Sequence, residues 1–95
     1  ISRFPQVVRD IAVTVGRDQA VGPMLAAIRA SGGPLLRNVD VFDVYEGDRI
    51  GADLKSVAFS LSFGADRTLV DDEVDRAVSE TVTSLSTLFG AILRA

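Results

Sequence analysis

The chain has 95 residues, 47% hydrophobic and 6% aromatic, with 10 basic residues against 13 acidic ones and a net charge of −3. That suffices for one domain with a modest core, and it is too negative for a protein that holds nucleic acid by bulk electrostatics. The absence of cysteine and histidine removes disulfides, thiolate nucleophiles, zinc fingers and imidazole bases together.

Acids cluster only at Asp71-Asp72-Glu73, which leaves a carboxylate metal site or acid pair as a formal option. No apolar run is long enough to span a membrane, and no signal-like segment opens the chain. Because the sequence starts at Ile1 rather than methionine, residues 1–95 are expected to be one domain cut from a longer protein, or the product of processing.

In chain order, Ile11, Val13 and Val15 alternate with Asp10, Ala12 and Thr14 after Pro5; the period of two predicts a half-buried strand ended by Gly16. Val21, Met24/Leu25 and Ile28 then fall at helical spacing. Pro23 belongs to a first turn, so the helix is placed from about Gly22 to Ser31, with a left-handed cap at Gly32-Gly33 and Pro34 forbidding continuation. LLRNVDVFDVYEG reads as a second strand with an exit loop from Gly47 to Asp53.

In LKSVAFSLSFGA, Val57, Phe59, Leu61 and Phe63 point one way and Ser56, Ala58, Ser60 and Ser62 the other. The short link predicts an antiparallel pair joined by a loop longer than two residues. A second helix follows, with the stripe Val74, Val78, Val82 (with Thr81), Leu85 and Leu88/Phe89. Acids occupy its first turn, where the helix dipole favours them, and Gly90 is its stop. AILRA is a short last strand. The order β-α-β-β-α-β specifies an α+β, ferredoxin-like sandwich: a four-stranded antiparallel sheet with both helices on one face.

Such a sheet leaves one face open, floored here by Ser60, Ser62, Ala58, Ala12 and Thr14. The second strand has two registers. In one, Phe42 and Val44 enter the core while Val41, Asp43 and Tyr45 face outward. In the other, Val39, Val41 and Tyr45 enter the core and Phe42 and Val44 lie outside. The first is favoured because it buries Phe42 and frees both Asp43 and the Tyr45 hydroxyl. A small-residue floor beside one tyrosine and one carboxylate suits a nucleobase: the ring stacks, the acid accepts from exocyclic amines, and Ser56 adds a donor and an acceptor. The plainer reading is that Asp43 starts a turn and Tyr45 closes the core edge.

Three segments, FPQVVRDIAVTV, LLRNVDVFDVYEG and KSVAFSLSF with RTLVDDEV, resemble in this order the ferredoxin-fold anticodon-binding domain at the C-terminus of the phenylalanyl-tRNA synthetase β chain. FDVYEG, KS and RTL are the most specific parts, and the likeness extends to GAILR. The resemblance implies a tRNA-binding module for the anticodon stem-loop of phenylalanine tRNA, in a parent ligase that acts in the cytoplasm. It implies no catalysis and no cofactor in this domain. ATP and magnesium are used elsewhere in the parent, the synthetase α subunit is its partner, and neither membrane nor DNA is bound.

Carried over by position, Asp43, Tyr45 and Ser56 match the sheet-face contacts to the first anticodon base, with Ala12 and Ala58 small so that bases lie close. Arg9 and Asp10 match a first-strand pair, structural or at the RNA edge. The lysine-rich approach to the third strand is reduced to Lys55, with Arg49 as its substitute for phosphate contacts. Val70 stands where a capping threonine or serine is usual, so Thr68 or Asp71 would have to cap the second helix.

Two other readings compete. A regulatory ACT-like domain of the same topology would bind a small molecule near Gly16-Arg17-Asp18 and carry an apolar, pairing-competent open face; Ser60 and Ser62 argue against that. A small hydrolase built on paired acids lacks a nucleophile. The tRNA reading also expects Arg3, Arg9, Arg37, Arg49 and Arg67 to ring the open face and offset the negative total.

Overall fold

A computed structural model describes residues 4–47 and 49–94. Its elements are β1 (Val7–Gly16), α1 (Val21–Ser31), β2 (Leu36–Tyr45), β3 (Leu54–Phe63), α2 (Asp71–Phe89) and β4 (Ile92–Leu93), and the sheet order is β2-β3-β1-β4, all neighbours antiparallel. Ile11, Val13 and Val15 of β1, Val39 of β2 and Val57, Phe59, Leu61 and Phe63 of β3 share one core with Met24 and Ile28 of α1 and Val74 and Leu85 of α2. Both helices therefore cover the same face, which is the ferredoxin-like sandwich that the alternation in β1 and β3 specifies.

The helix boundaries follow local chemistry. Pro23 lies in the first turn of α1, and Gly33 takes φ 77° just past its end, a conformation that glycine adopts without a Cβ penalty. Gly90 ends α2 with φ 67° and donates its N–H to the Ser86 carbonyl. The buried stripe of α2 runs through Val74, Thr81 and Leu85, with Val78, Val82 and Phe89 packed beside it, whereas Leu88 is exposed. Thr81 is tolerated inside because its hydroxyl donates to the Ala77 carbonyl at 2.9 Å.

Val70 offers no acceptor at the start of α2, and neither Thr68 nor Asp71 replaces it. Glu73 accepts from the Val70 N–H at 2.8 Å and from both Arg67 Nη atoms at 2.6 Å. The Arg67 hydrogen bonds, followed by the one from Val70, hold the Glu73 carboxyl at a pKa of about 2, against an ordinary 4.5. Two of the three clustered acids, Asp71 and Asp72, are exposed. Among the described residues no group of acids is placed to hold a metal ion.

The register of β2 departs from both expectations. Val39 and Val41 lie opposite Leu61 and Phe59 on the helix side, but the ladder then skips Phe42, and Asp43, Val44 and Tyr45 pair with Ala58, Val57 and Ser56. Directly paired residues share a face, so Asp43 and Tyr45 return to the open side. Phe42 is the extra residue of a β-bulge and is 58% exposed. The favoured register is thus wrong for Val41 and Phe42 and right for Asp43 and Tyr45; Val44 pairs with Val57 on the helix side but is 46% exposed and does not enter the core. A bulge lets one strand satisfy half of each register, and strict alternation has no place for it.

Candidate nucleic-acid interface

The three-strand ladder sets out the open face in rows. Asn38, Ser62 and Val8 form one; Asp40, Ser60 and Asp10 the next; then Asp43, Ala58 and Ala12; and last Tyr45, Ser56, Thr14 and Ile92 of β4. Asp43 and Tyr45 are two residues apart on the same strand and face, about 7 Å along it. Between them and β1 lie only alanine methyls and hydroxyls, so a flat ring can settle against the floor. At the Tyr45 end, a recess of about 330 Å³ opens between Arg17, Glu46, Gly47, Gly51, Ala52 and Leu54.

Asp43 and Tyr45 are both exposed, Tyr45 at 45%. Ser56 is buried to 5%, flanked by Tyr45 and Thr14. No hydrogen bond holds its hydroxyl, yet no buried polar side-chain atom among the described residues lacks a partner, so the oxygen itself keeps contact with solvent. The arrangement therefore offers an exposed stacking ring, an exposed acceptor and a recessed hydroxyl.

The remaining candidates are dispersed. Arg9 pairs with Leu61 on the helix side, and its Nη2 lies 3.3 Å from Asp75 Oδ1 and 3.7 Å from Asp71 Oδ1 of α2. One-residue alternation sends Arg9 and Asp10 to opposite faces, so the pair acts as a structural tie on one side and an open-face acid on the other. Lys55 pairs with Val15, also on the helix-side parity, and does not join Ser56. Arg49 is exposed in the β2–β3 loop.

The expected ring of arginines does not form. Arg9 and Arg67 are committed to acids of α2, Arg37 borders a groove with Arg29 at the β2 edge, and Arg3 lies outside the described residues. The strand positions of the open face carry Asp10, Asp40 and Asp43 and no cation.

Three exposed apolar residues at or beside this surface escape a reading of the sequence, Val8 at 55% exposure among them. Ile92, 68% exposed, extends the Tyr45 row; its register could not be read because β4 pairs through only two residues. Phe42 stands next to Asp43 because of the bulge, whose only sequence signal is the aromatic and acid breaking the alternation in VFDVY.

Comparison with known proteins agrees with this architecture. The family model of the ferredoxin-fold anticodon binding domain matches residues 2–94. The phenylalanine–tRNA ligase β subunit of Salinibacter ruber is 58% identical over 94 residues, covering 99% of this chain and 11% of that protein. Those of Methylococcus capsulatus and Bacillus cereus are 47% and 44% identical, each over 99% of this chain and 12% of the relative. The chain thus spans about an eighth or less of the length of these relatives. It belongs to the ferredoxin-fold anticodon-binding domain family.

Proposed function

We propose that this chain is the anticodon-reading module of a phenylalanine–tRNA ligase β subunit and that it holds the anticodon loop of phenylalanine tRNA on its open sheet face. One observation carries the reading. Asp43 and Tyr45, adjacent on that face and both exposed, border a floor of Ala12, Ala58 and Ser56 with no large side chain in the way. Tyr45 stacks on a base. Asp43 accepts from its amino edge. Ser56 reaches a ring substituent from below.

Arg9 and Lys55 take no part in base reading; Arg49, in the exposed loop, and Arg94, exposed just past β4 with its N–H donating to the Ala12 carbonyl at 2.7 Å, are cations placed to meet a phosphate. On this reading the ATP and magnesium chemistry belongs to other parts of the parent, which pairs with the α subunit and works in the cytoplasm. No helix among the described residues is long and apolar enough to cross a membrane. The ACT-like alternative needs an apolar open face, and rows centred on serine, alanine and aspartate, with Val8 and Ile92 only at their ends, do not supply one.

The test is an NMR titration of the chain with the phenylalanine anticodon stem-loop at low salt, alongside a loop of changed anticodon. Shifts centred on Asp43, Tyr45 and Ser56 that weaken with the changed loop support the reading. Shifts confined to the helices, or equal shifts with both loops, overturn it.

A further inference from the structure

We infer that Gly47 is a positioning residue for Tyr45: the missing side chain at 47 is the space in which the tyrosine ring is seated. A Cβ built on Gly47 would lie 2.9 Å from Tyr45 Oη, 3.2 Å from Cζ and 3.5 Å from Cε2. The first two distances are below ordinary van der Waals separation. All three of these nearest atoms belong to the tyrosine phenol, so a side chain here competes with it for one place.

The Gly47 carbonyl accepts from the Ile50 N–H at 3.0 Å and from the Gly51 N–H at 3.2 Å. On the flank, Glu46 is bridged to Arg17 at 2.6 Å, and the Arg17 N–H donates to the Asp53 carbonyl at 2.8 Å. Gly47 is not among the glycines of positive φ, which are Gly33, Gly51 and Gly90. Alanine therefore meets no backbone strain at 47, and its effect is confined to the ring. Tyr45 is 45% exposed and free to swing outward, so the substitution perturbs the stacking platform and leaves the core alone. The consequence for RNA rests on the reading proposed above; the seating of the ring does not.

The chain has one tyrosine and no tryptophan, so Tyr45 gives the only phenol resonances and the only intrinsic fluorescence of that class. The experiment compares wild type, Gly47→Ala, Tyr45→Phe and the double variant. The expected result has three parts. Gly47→Ala shifts the Tyr45 ring resonances in the free protein. Its melting midpoint stays within about 4 °C of wild type, as for a surface change. Its affinity for the phenylalanine anticodon stem-loop falls roughly 5-fold or more, the lower end of losing a stacked base.

Tyr45→Phe removes the atom at 2.9 Å, so Gly47→Ala should cost distinctly less affinity in that background. Non-additivity of this kind is what direct contact predicts. Unchanged ring resonances in Gly47→Ala overturn the inference, as does a full affinity loss that Tyr45→Phe leaves untouched. If wild type does not bind the RNA at all, the functional reading fails, while the ring shift still decides the seating.

Discussion

Deleting a residue from the middle of a strand ordinarily flips every later side chain to the other face, but the pairing of β2 predicts that Phe42 can be deleted with the fold intact. Val41 faces Phe59 and Asp43 faces Ala58, so the ladder already runs past Phe42. Removal leaves Val41, Asp43, Val44 and Tyr45 on their present partners in regular alternation. Phe42 is 58% exposed, so about two-fifths of a side chain that buries at most ~150–250 Å² is lost, on the order of 2 kcal/mol as an upper bound. One residue fewer to order returns about 1–2 kcal/mol.

The two nearly cancel. Deleting Val39, which is 4% exposed and opposite Leu61, slides Asn38 or Asp40 into the core and should cost more than about 3 kcal/mol through lost burial and a stranded polar group. Urea unfolding followed by circular dichroism separates the cases. The reasoning is refuted if loss of Phe42 lowers the midpoint as much as loss of Val39 does.

The other predictions use the same face assignment. Phe59→Ala, at a site with no exposure, should cost about 3–5 kcal/mol in unfolding; Tyr45→Ala should leave stability nearly unchanged and weaken RNA binding by about 1–3 kcal/mol, and equal melting losses would mean that the ring is core. Glu73 has its pKa lowered from 4.5 to about 2 on folding, so its stabilisation is complete above the unfolded value and disappears as pH falls from about 4.5 to about 2. Glu73→Gln should lose that part of the acid dependence, read by melting between pH 2 and 6. Arg9→Ala should cost no more than about 1 kcal/mol, since its partners Asp71 and Asp75 are 90% and 66% exposed, and should leave RNA affinity unchanged; a specific affinity loss would place Arg9 at the interface after all. Finally, with only Arg49 and Arg94 exposed at the border of an otherwise acidic open face, the salt dependence of stem-loop binding should be shallow, with a log–log slope no steeper than about −2; a slope of −4 or more would demand further phosphate contacts that the face does not contain.

Most of this architecture could be read from side-chain periodicity, because burial enforces it. The alternation in β1 and β3 is strict, since each odd position of β3 from Val57 to Phe63 contributes to the core. Glycine and proline punctuation located both helix ends to within a residue. What could not be read has a common cause: it depends on how strands meet. The bulge at Phe42 is a property of the β2–β3 ladder. The open row ending in Ile92 depends on a two-residue pairing with β1. The helix-side placement of Arg9 is decided by alternation that a glance at an Arg-Asp pair does not resolve. The Arg67–Glu73 cap is hidden because Val70 offers no acceptor at the usual capping position and the compensation comes from a side chain one turn later.

The charge distribution bears on how such a face could read RNA. Asp10, Asp40 and Asp43 give the open face a negative field, which opposes the phosphate backbone and so weakens any loop that merely lies across the sheet. A base that inserts its amino edge toward Asp43 and its plane toward Tyr45 gains charge-assisted hydrogen bonding and stacking that a mismatched base does not recover. On the proposed function the same acids would act in both directions, repelling unspecific backbone and rewarding the right base, so that specificity is gained at the expense of affinity. A domain built this way needs its ligand delivered and held by contacts beyond itself. On the proposed function, discrimination then lies in the small sheet and the bulk of the binding energy in contacts outside it.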